Sequence, residues 1–212
     1  MRREDVILRY VTGQDVLDLG GVDHYAFQQK LTNDTWLHSV IKSKARTCLG
    51  IDILDDRVKE AVEHGYRFEV ANAENLPFEN RFDVIVAGEL VEHVYSMGLM
   101  LDSTWRALRS AGRLIITTPN NCALSKMLYA MLLGREVCHP EHTCYYSSQT
   151  LSYIVSKHGF REIERHVLAR PARYWLVEKV YEAVSRWRPI LGEVLVHVFE
   201  KVPEQHKYAD KW

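Results

Sequence analysis

The strongest constraint on this fold is a rhythm. Short β-branched runs, bounded by Gly, Asn or Pro, alternate with segments long enough for a helix. The runs are DVLDLG, RTCLGIDIL, YRFEVANAE, RFDVIVAGE and GRLIITTPN, followed late in the chain by FREIERHVLA and GEVLVHVFEKV. Strands of this kind separated by helical periods specify a parallel sheet covered on both faces by helices. The count is seven strands, five in βα units and two joined by a long connection. Gly65 and Gly112 sit where helices are expected to stop, and SSQTLSYIVSKHGF reads as a capped helix ending at Gly159.

With 212 residues and no linker or repeat, residues 1–212 are expected to form one α/β domain. Residues 121–146 break the rhythm. Their apolar helix, NCALSKMLYAMLLGRE, leads to no strand, so the segment reads as a lid-like insertion. A net charge of −1, from 27 basic and 28 acidic residues, gives none of the basic field that drives nucleic-acid binding. The N-terminus lacks a signal-peptide pattern, and no window resembles a membrane span. Cys48, Cys122, Cys138 and Cys144 are too scattered for a disulfide framework. The expectation is a cytoplasmic chain, monomer or homodimer.

The first strand runs into Gly20 and Gly21, the usual position of a cofactor turn. A dinucleotide needs G-x-G-x-x-G so that the backbone can approach a pyrophosphate, whereas Val22 and His24 stand here instead. A cofactor without phosphate, such as S-adenosylmethionine, asks for carboxylates and carbonyls. Asp18 is positioned for its ammonium group, Asp52 for its ribose hydroxyls, and Asn72 or Glu74 for its adenine edge.

The ordered set VLDLGG, GIDI, ANAENLPFENRFDVIVAGELVEHV, GRLIITTPNN and HPEHTCYYSSQTLSYIVSKHGF resembles class I S-adenosylmethionine-dependent methyltransferases. It is most similar to the ubiquinone-pathway O-methyltransferase and methyltransferase type 11 branch, over roughly residues 14–168. The resemblance implies a Rossmann-like seven-stranded, mostly parallel sheet with its last strand antiparallel. It also implies a cofactor contact set of Asp18, Gly20, Gly21, Asp52, Ile53, Asn72, Ala73, Glu74 and Glu89. The family's glycine loop has further glycines where Val22 and His24 lie. The 34 residues from Asp18 to Asp52 imply a lengthened first helix around WLHSVIK.

GELVEHV sets Glu89, Glu92 and His93 after the fourth strand, and a helical turn would bring all three to one face. Two carboxylates and an imidazole suit a divalent ion such as Mg. CHPEHTC adds His139 and His142 in a loop able to fold back on the same pocket. Glu89, Glu92, His93 and His142 resemble the metal sets of ubiquinone-pathway enzymes and of small-RNA 2′-O-methyltransferases. Without metal, His93 or His142 is the expected general base. Zinc on Cys138, His139, His142 and Cys144 is disfavoured by the ligand spacing.

The expected reaction is O-methylation of a small-molecule, lipid or glycan hydroxyl. RNA-ribose 2′-O-methylation and a non-catalytic methyltransferase-like binding protein are the alternatives. The near-neutral charge argues against nucleic acid as a partner. Arg161, Arg165, Arg170 and Arg173 with Tyr174 and Trp175 form a basic stretch, either a solvated face or a contact for an acidic acceptor.

Overall fold

The computed structural model describes residues 1–22, 35–136, 138–169 and 175–203, the side chains of residues 176 and 177 excepted. His24, Arg170, Arg173 and Tyr174 lie outside the described residues, as does most of the C-terminal tail; of the lengthened helix expected around WLHSVIK, the described residues show six helical residues, Leu37–Lys42. The helices are α1 Arg3–Val11, α2 Leu37–Lys42, α3 Asp55–Glu63, α4 Met97–Ala107, α5 Leu124–Leu133, α6 Ser148–Ser156 and α7 Trp175–Trp187. The strands are β1 Asp15–Leu19, β2 Thr47–Asp52, β3 Phe68–Val70, β4 Phe82–Gly88, β5 Leu108–Pro119, β6 Phe160–Leu168 and β7 Val194–Lys201. Short 3₁₀ turns occupy Ala73–Asn75 and Pro189–Leu191.

Among the described residues one sheet runs in the order β3-β2-β1-β4-β5-β7-β6. The first five strands pair in parallel, and β7 is antiparallel to both β5 and β6. Alternate residues of each central strand feed opposite layers, which explains their near-continuous apolar sequence. Leu17, Leu19, Ile85, Ala87, Leu114 and Ile116 pack with Met100 and Leu101 of α4 and Leu151 and Val155 of α6. Val16, Val84, Val86, Ile115 and Val198 pack on the other face with Val6, Ile7 and Val11 of α1. No helix among the described residues is long and apolar enough to cross a membrane.

Two local readings are corrected. The helix before β5 ends at Ala107, not at Gly112, because Leu108 already pairs with Phe82 on β4 and is fully buried. The left-handed residue in the following bulge is Ala111, with φ 58°. The N-terminal stretch, for which the sequence suggested no element, is α1. Its interleaved charges mask Val6, Ile7 and Val11, which form its buried side.

Helix α1 is pinned to the outer strand β6 through Glu164, which accepts hydrogen bonds from Tyr10 and from Arg9 at 2.6 Å and meets His166 at 2.5 Å. Burial alone would raise this carboxyl, but those three partners outweigh it and hold the pKa at about 2. A pKa depressed below its unfolded value contributes stability above that value, and the contribution is lost as acid protonates the folded state. Glu164→Gln should therefore lower the melting temperature at neutral pH. The gap from wild type should narrow from about pH 4.5 towards about pH 2 in a pH series of thermal melts.

Candidate active site at the carboxyl edge of the sheet

From β1 the sheet extends one way through β2 and β3 and the other way through β4 and β5. Ligands of open α/β sheets bind at such a switch point, beyond the carboxyl ends of the strands. Gly20 and Gly21 both donate their N–H to the carbonyl of Ile51, at 2.9 and 3.2 Å. Gly20 has φ +62°, and a Cβ there would fall 2.7 Å from Cδ1 of Leu90, so the turn after β4 is seated directly on the glycine turn. A Cβ on Gly21 would fall 2.7 Å from Oδ2 of Asp18.

Asp18 is not turned towards a ligand. Its side chain is 2% exposed, and Oδ2 lies 2.9 Å from Nδ1 of the fully buried His38. The His38 ring sits among Trp36, Tyr66 and Phe68, at 5.0, 5.7 and 4.4 Å between centroids. Among the described residues its Nε2 has no hydrogen-bond partner. The tautomer that buries no orphan N–H gives the Nδ1 proton to Asp18 and turns a bare lone pair to the rings. Sequence reasoning missed His38. The available signal was its place three residues before Ile41 on the apolar side of LHSVIK.

Val22 explains the departure from a glycine loop. Its side chain is buried with Trp36, Val58, Ala61 and Phe68, and Trp36 Nε1 donates to the carbonyl of Gly21 at 2.7 Å. Asp52, at the end of β2, accepts the N–H groups of Val22 at 3.2 Å and Leu54 at 3.1 Å, one on each oxygen. Burial raises its pKa, against the backbone hydrogen bonds that lower it. Each oxygen retains acceptor capacity, and this oriented carboxylate fits the ribose diol of S-adenosylmethionine. Ile53 is exposed beside it. Asn72 caps the Ala73–Asn75 turn through the N–H of Glu74, Ala73 is buried, and Glu74 accepts the N–H of Ser96 at 2.8 Å. Asn72 and Glu74 thus carry structural bonds of their own at the edge where the adenine was expected.

On the β4 side the structure brings together Glu92, His93 and His142, each offering a ligand atom within 4.8 Å of the others. Glu89 does not join them. The turn is not α-helical, and Glu89 itself is left-handed with φ 54°. Its carboxylate instead accepts from Thr117 Oγ1 at 3.0 Å and lies 3.7 Å from Arg3. Glu92 is buried and accepts from Thr118 Oγ1 at 2.9 Å; burial, then the charge of Glu89, push its pKa up to about 8. His93 Nδ1 faces the carbonyl of Glu141 at 3.2 Å. A carbonyl only accepts, so that nitrogen holds the proton and Nε2 presents a lone pair.

The histidine loop is fastened by Thr143. Its N–H donates to the carbonyl of Glu92 at 2.8 Å, and its hydroxyl lies 3.0 and 2.9 Å from the carbonyls of Glu92 and Val94. The rings of His93, His139 and His142 consequently cluster at 4.7 to 6.0 Å. Burial and the neighbouring His93 lower the pKa of His142, whose buried Nδ1 has no hydrogen-bond partner among the described residues. An open cleft of about 440 Å³ lies alongside, lined by Asn121, Lys126, Met127, Arg135, Glu136 and Tyr145 among others. Lys126 lies 4.2 Å over the Tyr145 ring, and Tyr145 in turn is 5.9 Å from His142.

Residues 4–165 match the methyltransferase domain family. The human mitochondrial ubiquinone biosynthesis O-methyltransferase is 30% identical over 127 residues, 52% of this chain and 34% of that protein. A probable S-adenosylmethionine-dependent methyltransferase of Mycobacterium tuberculosis is 25% identical over 170 residues, 76% of this chain and 56% of its own length. The chain thus spans about a third to somewhat over half of these curated relatives. The solved structure of an S-adenosylmethionine-dependent methyltransferase from Archaeoglobus fulgidus covers 94% of this chain and 95% of its own, with a TM-score of 0.62 at 18% identity. The chain belongs to the methyltransferase domain family. Its fold is that of solved S-adenosylmethionine-dependent methyltransferases such as the Archaeoglobus fulgidus protein.

Removing the imidazole from beneath the glycine turn should cost more than an ordinary surface change. His38→Phe leaves the Asp18 carboxylate buried without its partner, with an expected loss of about 3 kcal/mol. Denaturant unfolding measures the loss, and hydrogen exchange should rise at residues 20–22. Unchanged stability would mean the pair is not the support of the turn.

Proposed function

We propose that this chain transfers the methyl group of S-adenosylmethionine to a hydroxyl oxygen of a small-molecule, lipid or glycan acceptor lying in the cleft beside Lys126 and Tyr145. The observation that carries the reading is the convergence of Glu92, His93 and His142 next to the glycine turn. Asp52 holds the ribose hydroxyls, and the Gly20–Gly21 backbone, braced from below by Asp18 and His38, lines the donor side. Bound S-adenosylmethionine supplies a methyl on a sulfonium whose departing thioether needs no proton. The chain therefore has to align the acceptor, exclude water and take up the hydroxyl proton.

Two imidazoles and one carboxylate are also a donor set for a divalent ion. With Glu89 held by Thr117 and Arg3, the set is richer in nitrogen than the sequence implied, and it favours an ion that takes imidazole more readily than Mg does, Zn first and Mn after it. The orphaned Nδ1 of His142 and the bare Nε2 of His93 are the atoms that fit such an ion. Bound between them it would polarise the acceptor hydroxyl and lower its pKa. In its absence His142, kept neutral by burial, serves as the base.

Calorimetric titration with S-adenosylmethionine tests the donor side. Wild type should bind, and Asp52→Asn should bind at least about tenfold more weakly, about 1.4 kcal/mol. No binding by wild type overturns the enzymatic reading in favour of a methyltransferase-shaped binding protein. On the acceptor side, His93→Ala/His142→Ala should leave donor affinity intact while abolishing Mn binding in the same calorimeter. Retention of Mn binding by that variant would remove these histidines from the metal site.

A further inference from the structure

Helix α5 is ten residues long and buries none of them. Met127, Leu128, Tyr129, Ala130, Met131, Leu132 and Leu133 are consecutive, apolar and all exposed, Met131 and Leu132 by 78% and 76%. At about 3.6 residues per turn, seven in succession pass nearly twice around the axis, so the helix is apolar on every side instead of along one stripe. Helices apolar all round are buried in a large core or in lipid. This one lies on neither face of the sheet.

The surface continues into the α7 corner. Asn120 Nδ2 donates to the carbonyls of Ile190 and Gly192, and Ser125 Oγ donates to Glu193 at 2.7 Å. These bonds join the start of α5 to the Pro189–Leu191 turn. There Trp187 and Ile190 are exposed, and the Arg188 guanidinium lies 4.7 Å over the Trp187 ring. Arg135 follows the C-terminal end of α5. Among the described residues neither Arg135 nor Arg188 is paired with a carboxylate.

We infer that α5 and the Trp187–Ile190 corner dock on an anionic lipid bilayer. The helix is about 15 Å long, half of a hydrocarbon core about 30 Å thick, so it lies in the interface and does not cross it. Trp at headgroup depth, with arginines reaching past it to anionic headgroups, is the chemistry of such a contact. A second copy of the chain, by contrast, would cover one stripe of α5 and leave the rest of its apolar girth in water. Met127, Ala130 and Gly134 also line the cleft, so docking sets the cleft mouth against the lipid.

Cosedimentation of the purified chain with vesicles tests this without methyl donor or acceptor, so its failure is separate from failure of the proposed reaction. One set of vesicles is phosphatidylcholine alone and the other an equal mixture with phosphatidylglycerol. The chain should bind the anionic vesicles at least about tenfold more tightly. Met131→Glu/Leu132→Glu, at side chains already in solvent, should keep the wild-type melting temperature and lose about tenfold in binding. Arg135→Gln/Arg188→Gln should remove the preference for anionic lipid. Absence of binding to both vesicles overturns the inference, and so does unchanged binding by the glutamate variant. Light scattering that finds a two-copy assembly dispersed by the glutamate variant would give the surface to a partner chain instead.

Discussion

A carboxylate and an imidazole, both withdrawn from water under the first glycine turn, decide how the donor side of this molecule is built. Asp18 and His38 meet at 2.9 Å in a setting of Trp36, Tyr66 and Phe68, where a group without a partner would be costly. Gly21 can lie on the carboxylate only because it has no side chain. The turn so placed offers Gly20 to Leu90, and through Leu90 it positions the turn that carries Glu92 and His93. Donor and acceptor sides are therefore in register through two contacts at the centre of the sheet.

The acceptor side is made differently. Its histidine loop reaches the site over a long stretch of chain and is held by Thr143 on two main-chain carbonyls, just before Cys144 and Tyr146 join the core. Helix α5 has polar ties at its first turn and no core beneath it. Under the proposed function, a rigid half would hold the common reactant and a lightly attached half would meet the variable one. The fold can then keep its chemistry while changing its acceptor.

The seven strands were legible because a parallel strand buried on both faces has to be apolar almost throughout, as Val16–Leu19 and Val84–Ala87 are. That Glu92, His93 and His142 come together was legible from two short motifs rich in acid and imidazole, GELVEHV and CHPEHTC. What failed was dihedral and long-range. Glu89 was expected to follow a helical turn, but its backbone is left-handed and sends the side chain to Thr117 and Arg3. Asp18 was assigned to the cofactor because nothing in its neighbourhood of sequence announces His38, twenty residues on. The charge alternation of α1 hid a helix whose buried side comprises only Val6, Ile7 and Val11.

Val22 carries a consequence of its own. Where relatives of this fold gain close approach from another glycine, this chain has a hydrophobic anchor sunk between α3 and the aromatic residues of the neighbouring layer. The cradle for the donor is thereby coupled to the packing of a remote helix. A methyl gained or lost at Ala61 or Val58 would register as altered donor affinity, and warming that loosens α3 would release the donor before the sheet itself gave way. Under the proposed function, thermal limits on turnover would then be set by a few side chains packed behind the glycine turn.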